Sequence, residues 1–87
     1  MAYRLEITPA AVRDLASLPP DARRRVDACI LTLAENPHPP GSKKLAGLNG
    51  LYRVRVGDYR VVYRTEHRRL LVLVVRIGHR REIYRQP

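Results

Sequence analysis

The stretch YRVRVGDYRVVYR, residues 52–64, alternates apolar and basic side chains with a period of two on both sides of Gly57-Asp58. That spacing is the signature of two β-strands, with Gly-Asp as the two-residue turn of a hairpin. The predicted strands are Leu51–Val56 and Tyr59–Thr65. A two-residue turn fixes the register. Val56 faces Tyr59, Arg55 faces Arg60, Val54 faces Val61 and Tyr52 faces Tyr63. One face then carries Tyr52, Val54, Val56, Tyr59, Val61 and Tyr63, apolar enough to cover a pair of helices. The other carries Arg53, Arg55, Arg60, Val62 and Arg64. Like charges directly across a strand pair are destabilising, so this arginine face is either screened by solvent or meant for an anion.

Working outward, LLVLVVRI (70–77) is apolar on both faces, as a central strand is. EHRR before it is a turn, Gly78 is expected to break it, and REIYR to form a short last strand. Upstream, Tyr3–Ile7 reads as a strand with Tyr3, Leu5 and Ile7 on one face. Thr8-Pro9 supplies an N-cap and a proline at the first helical position. The helix that follows is predicted to reach Leu18 and to bury Ala11, Val12, Leu15 and Leu18. Pro19-Pro20 ends it. A second helix from about Asp21 to Glu35 carries the stripe Val26, Cys29, Ile30 and Leu33. NPHPPGS (36–42) is a loop, and KKLAGLNG an irregular basic connector. The expected architecture is α+β, one domain over 1–87 in the order βααββββ. A helix hairpin packs on one face of a twisted, mainly antiparallel sheet and leaves the other face open.

Length and charge bound the function. A chain of 87 residues has room for one core and buries only roughly 60% of its unfolded surface. No run is apolar and long enough to span a membrane. MAYRLEIT lacks the apolar run of a secretory signal, so a cytoplasmic protein is expected. The single cysteine, Cys29, excludes an internal disulfide and a multi-cysteine zinc site. Residues 1–42 hold five basic and five acidic side chains, while residues 43–87 hold twelve basic and three acidic ones. The whole net charge of +9 lies in the second half. Such asymmetry is the electrostatic footprint of a nucleic-acid partner or an acidic protein segment; a solvated basic face is the plainer alternative. No histidine pair has metal-binding spacing, the carboxylates are too scattered for a two-metal nuclease, and no glycine-rich nucleotide loop is present. No cofactor or metal is expected.

The early strand and helix hairpin, KKLAGLNGLYRVRV, the GDYRVVYR hairpin and the ending RIGHRREIYR together resemble the RelE/ParE superfamily of bacterial toxin–antitoxin modules, over essentially the whole chain. RelE-like members of that superfamily cut messenger RNA in the ribosomal A site, whereas ParE-like members poison DNA gyrase. The basic residues here resemble the RelE-like pattern. The resemblance implies that Arg53 and Arg55 are the basic pair of the second strand and that Arg60 is the arginine of the GYR-type motif. Arg80 is matched to the arginine after the last long strand, and Tyr84 to the C-terminal tyrosine. It also implies a RelB-like antitoxin, lying across the basic sheet face or the helix hairpin, and a ribosome carrying mRNA. Two departures stand out: the strand pair is arginine where the RelE pattern has lysine, and Ala46 replaces a further arginine, with Lys44 retained before it.

Metal-free RNA cleavage proceeds by attack of a 2′-hydroxyl on the neighbouring phosphate. It needs a base, cationic donors around the phosphorane and an acid for the leaving oxygen. Arg53, Arg55, Arg60, Arg64, Arg80 and Lys44 supply donors, and arginine suits phosphate through its planar paired N–H groups. Tyr84 is the candidate for orientation or base work, because clustered arginines lower a phenol pKa. His79 is a candidate acid or base. The bland alternatives are a sheet-edge tyrosine and a surface histidine. His38 reads as loop, His67 as a solvated turn residue, and Cys29 as a structural thiol. A gyrase inhibitor without nuclease chemistry, and a family member that binds RNA or antitoxin without cutting, are the other readings.

Overall fold

In the computed structural model, which describes residues 2–45 and 50–79, five strands form one sheet with two helices on a single side. The elements are β1 (Arg4–Ile7), α1 (Pro9–Ala16), α2 (Pro20–Glu35), β2 (Lys43–Lys44), β3 (Leu51–Val56), β4 (Tyr59–Glu66), a 3-10 turn (His67–Arg69) and β5 (Leu71–His79). The sheet order is β1-β5-β4-β3-β2. β1 runs parallel to β5, and the other three pairings are antiparallel. A parallel pair needs a crossover between its strands, and every other described element lies between β1 and β5 in sequence.

The helices begin where local chemistry dictates. Thr8 is the N-cap of α1: its hydroxyl accepts from Ala11 N–H at 3.1 Å and donates to Val75 C=O at 2.8 Å. One side chain thus satisfies a free helix N–H and ties the helix to β5. α1 stops at Ala16, two residues short of the expected end; Ser17 caps it with its N–H shared between the Arg13 and Asp14 carbonyls, and Pro19-Pro20 follows. Pro20 opens α2, whose stripe Val26, Ile30 and Leu33 is fully covered. Cys29 packs against the same cluster half-buried. Val12 was expected in the core and is instead 52% exposed. α1 packs against the core through Ala11 and Leu15, with Leu18 just beyond its end, and Val12 falls off that line.

The core lies between this layer and one face of the sheet, with Val54, Val61, Tyr63, Val72, Val74 and Ile77 beneath the helices. Tyr63 is completely buried, and its hydroxyl donates to Pro37 C=O at 2.8 Å, which satisfies its one polar atom. Between Val62 and Tyr63 the pairing with β5 slips by one residue, leaving Val75 as the extra residue of a β-bulge. The bulge is held from α1: Thr8 N–H donates to Val74 C=O and Thr8 Oγ1 to Val75 C=O.

Three further expectations are corrected. Gly78 does not end the last long strand; β5 runs through it to His79, and Gly78 pairs with Arg60. The connector after residue 42 is not wholly irregular, because Lys43–Lys44 adds an edge strand to β3. EHRR is not all turn, since Glu66 closes β4 opposite Leu71. The order βααββββ is therefore reached with β2 as a strand that the sequence reading did not count. The expected REIYR strand lies outside the described residues.

Candidate functional site

The β3–β4 hairpin has the expected register. Val56 pairs with Tyr59, Arg55 with Arg60, Val54 with Val61 and Tyr52 with Tyr63. Gly57 carries φ +60° at the turn and Asp58 has no positive φ, the arrangement of a II′ turn with glycine first. Facing pairs share a side, so Arg53, Arg55, Arg60, Val62 and Arg64 lie away from the helices. At β2, Lys43 pairs with Arg53 and Lys44 with Tyr52. Lys43, which sequence reasoning did not single out, therefore joins the arginine side. Lys44 falls on the tyrosine side. Both are exposed.

The arginines are not equivalent. Arg55 is exposed, and its Nε donates to Gly57 C=O at 3.0 Å, holding the side chain over the turn. Arg60 directly across is only 8% exposed. Arg53 is half-buried and Arg64 exposed. On the neighbouring strand, Arg60 meets Gly78 and Val62 meets Arg76. Arg76 is already engaged: its Nε donates to Asp14 Oδ2 at 2.8 Å, and Ile77 N–H donates to the same oxygen at 3.0 Å. Burial pushes the Asp14 carboxyl pKa up. The hydrogen bonds from Arg76 and Ile77, with the Arg76 and Arg13 charges, outweigh that and hold it below the usual carboxylate value. Arg76 thus clamps α1 to β5.

His79 does not join the arginines. It pairs with Tyr59 and meets that ring edge-on, 5.8 Å between centroids, so it lies on the tyrosine side of the sheet. Arg80, Tyr84 and Ala46 lie outside the described residues. Burial pushes the Cys29 thiol pKa up, against a role as a thiolate nucleophile. Among the described residues no group of three or more His, Cys, Asp or Glu side chains is placed to hold a metal ion. What the arginine side can do is bind and orient successive phosphates and stabilise charge that develops on them.

Sequence reasoning also missed a contact at the other end of the hairpin. His38 and His67, read as loop and solvated turn, bring their Nε2 atoms within 3.3 Å of each other. Tyr3 Oη lies 2.7 Å from His67 Nδ1, and the His38 ring lies on Tyr52 at 4.7 Å. No spacing signals a pair 29 residues apart; only the topology places the end of α2 beside the β4–β5 turn.

Compared with known proteins, residues 5–84 match the family described as the ParE toxin of the type II toxin–antitoxin system, parDE. The chain is 38% identical to toxin RelE of Mycobacterium tuberculosis over 84 residues, 95% of this chain and 87% of that one. Its fold is similar to that in the crystal structure of the RelBE2 toxin–antitoxin complex of Mycobacterium tuberculosis, with TM-score 0.81 and 32% identity. That match covers 92% of this chain and 100% of the other. It is equally similar to that in the archaeal RelE–RelB complex from Pyrococcus horikoshii, with TM-score 0.81 and 33% identity over 92% of this chain and 97% of that one.

Proposed function

The chain belongs to the RelE/ParE superfamily of type II toxin–antitoxin toxins, on its RelE-like branch, and from that premise we propose that it is a ribosome-dependent, metal-independent mRNA endoribonuclease. The observation that carries the proposal is the arginine side of the β3–β4 hairpin, where Arg55 and Arg60 face one another with Arg53, Arg64 and Lys43 beside them. Facing like charges repel, and an anion bound on this side offsets that repulsion.

In the proposed reaction the 2′-hydroxyl attacks the adjacent phosphorus and the bond from phosphorus to the 5′ oxygen breaks, leaving a cyclic phosphate and a free 5′-hydroxyl. Arg53, Arg55 and Arg60 stabilise the phosphorane, Arg64 and Lys43 hold flanking phosphates, and Arg80 adds charge at the same step, while Lys44, on the tyrosine side, drops out of the site. Arginine stays protonated at neutral pH and is no ordinary base, so proton transfer or substrate orientation is assigned to Tyr84. His79, on the other side of the sheet, is the weaker candidate. A site with no strong base relies on the ribosome to align its substrate.

A RelB-like antitoxin is the proposed partner, on the analogy of the toxin–antitoxin complexes whose fold this chain resembles. An acidic or amphipathic segment would fold across the arginine side or along the helices, where Val12 and Leu31 are 52% and 66% exposed.

The matched family is described by its ParE members, which supports gyrase inhibition as the second reading. The antitoxin-free chain is offered ribosome-bound mRNA in one assay and gyrase with relaxed plasmid in another. Cut mRNA with unaffected supercoiling is the expected outcome. Intact mRNA with blocked supercoiling promotes the second reading.

A further inference from the structure

The contact between His38 and His67 has the geometry of a pair of metal ligands. Two imidazole nitrogens held about 2.0–2.1 Å from a tetrahedral zinc ion sit roughly 3.3 Å apart, and the Nε2 atoms of His38 and His67 are 3.3 Å apart. Their ring centroids are 5.3 Å apart and the planes are inclined at 45°. The centroid separation exceeds the nitrogen gap by nearly two ring radii. The rings therefore meet tip to tip rather than face to face, and turning both exposed rings off the line between them aims both lone pairs at one ion.

Both rings are held from behind. His38 N–H donates to Asn36 Oδ1 at 3.0 Å, the preceding carbonyl of Pro37 accepts from the buried Tyr63 hydroxyl, and the ring rests on Tyr52. His67 is the first residue of the 3-10 turn, where its carbonyl accepts from Leu70 N–H. Its Nδ1 is 2.7 Å from the Tyr3 hydroxyl. That contact can serve as the outer-sphere hydrogen bond of a metal-bound histidine: in the tautomer whose Nδ1–H donates to the tyrosine oxygen, Nε2 keeps its lone pair for an ion.

We propose that His38 and His67, oriented by Tyr3, form a two-histidine site for a divalent transition metal of the zinc, nickel or copper class, with the remaining coordination positions open to water or to a ligand from another molecule. Imidazole nitrogen suits these ions and does not suit magnesium or calcium. The site lies where the end of α2 meets the β4–β5 turn, and it does not depend on the proposed nuclease chemistry.

The test is calorimetric titration of the full, tag-free, antitoxin-free chain with nickel(II) and zinc(II), in a background carrying His79→Asn and Cys29→Ser to remove other soft ligands. The expected result is one equivalent bound per chain. Binding should be lost in His38→Ala and in His67→Ala and weakened about tenfold in Tyr3→Phe, while magnesium gives no heat. Both histidines are exposed, so these variants fold, which circular dichroism checks. No saturable binding, or binding of equal strength in the His38→Ala/His67→Ala double variant, would overturn the proposal.

Discussion

Arg55 on β3 and Arg60 on β4 stand directly opposite one another, yet Arg55 is exposed and Arg60 is only 8% exposed. The two guanidinium groups therefore play different parts in one face. Arg55 is solvated, and its side chain is steadied by the turn carbonyl of Gly57. Arg60 is built into the sheet opposite Gly78.

Alanine substitution should separate them. Arg55→Ala removes a facing like charge and one exposed side chain, so stability should change by no more than about 0.5 kcal/mol while ribosome-dependent cleavage falls. Arg60→Ala empties a buried position and should cost about 1–3 kcal/mol as well as activity. Urea unfolding beside a cleavage assay measures both. Equal stability losses in the two variants would contradict the assignment.

The Asp14 clamp gives a pH signature. Its folded pKa lies below the ordinary carboxylate value because Arg76 and Ile77 outweigh burial. A depressed folded pKa contributes stability that is fully present above the unfolded value and is lost as pH falls through the folded one. Asp14→Asn should therefore be less stable at neutral pH, by about 2 kcal/mol for a lost charge-assisted hydrogen bond. Its melting temperature should also fall less steeply below pH 4 than that of the unsubstituted chain. Parallel pH profiles for the two would count against the clamp.

The hairpin turn depends on Gly57, whose φ of +60° an L side chain adopts at a cost of about 1–2 kcal/mol. A Cβ there would also stand 3.2 Å from Arg25 Nη2 on α2, although that flexible end can move. Gly57→Ala should lower the urea midpoint by the equivalent of about 1 kcal/mol with an unchanged slope. An unchanged midpoint would show that the turn does not require this conformation.

Much of this was legible in the sequence because its signals are local. Period-two alternation around Gly57-Asp58 fixed every pair of the hairpin, and Thr8-Pro9 marked the start of α1. The stripe Val26, Ile30 and Leu33 gave the buried face of α2. β2 escaped because two residues carry no periodicity, and with it went the register that puts Lys43, not Lys44, beside Arg53. Gly78 looked like a breaker, yet a strand can run through a glycine, and here it pairs with Arg60. His79 was grouped with the arginines by closeness in sequence, but alternation along β5 turns it to the opposite side. Nothing local in the sequence could join His38 to His67.

The central claim is that the arginine face cuts mRNA on the ribosome. Its most direct test is primer extension on a defined mRNA programmed on purified ribosomes, with the folded, antitoxin-free chain and with its Arg80→Ala/Tyr84→Ala variant. New 5′ ends at A-site codons are expected with the unsubstituted chain, and none with the variant or with ribosome-free RNA. Intact mRNA with the unsubstituted chain, or equal cutting by the variant, would contradict it.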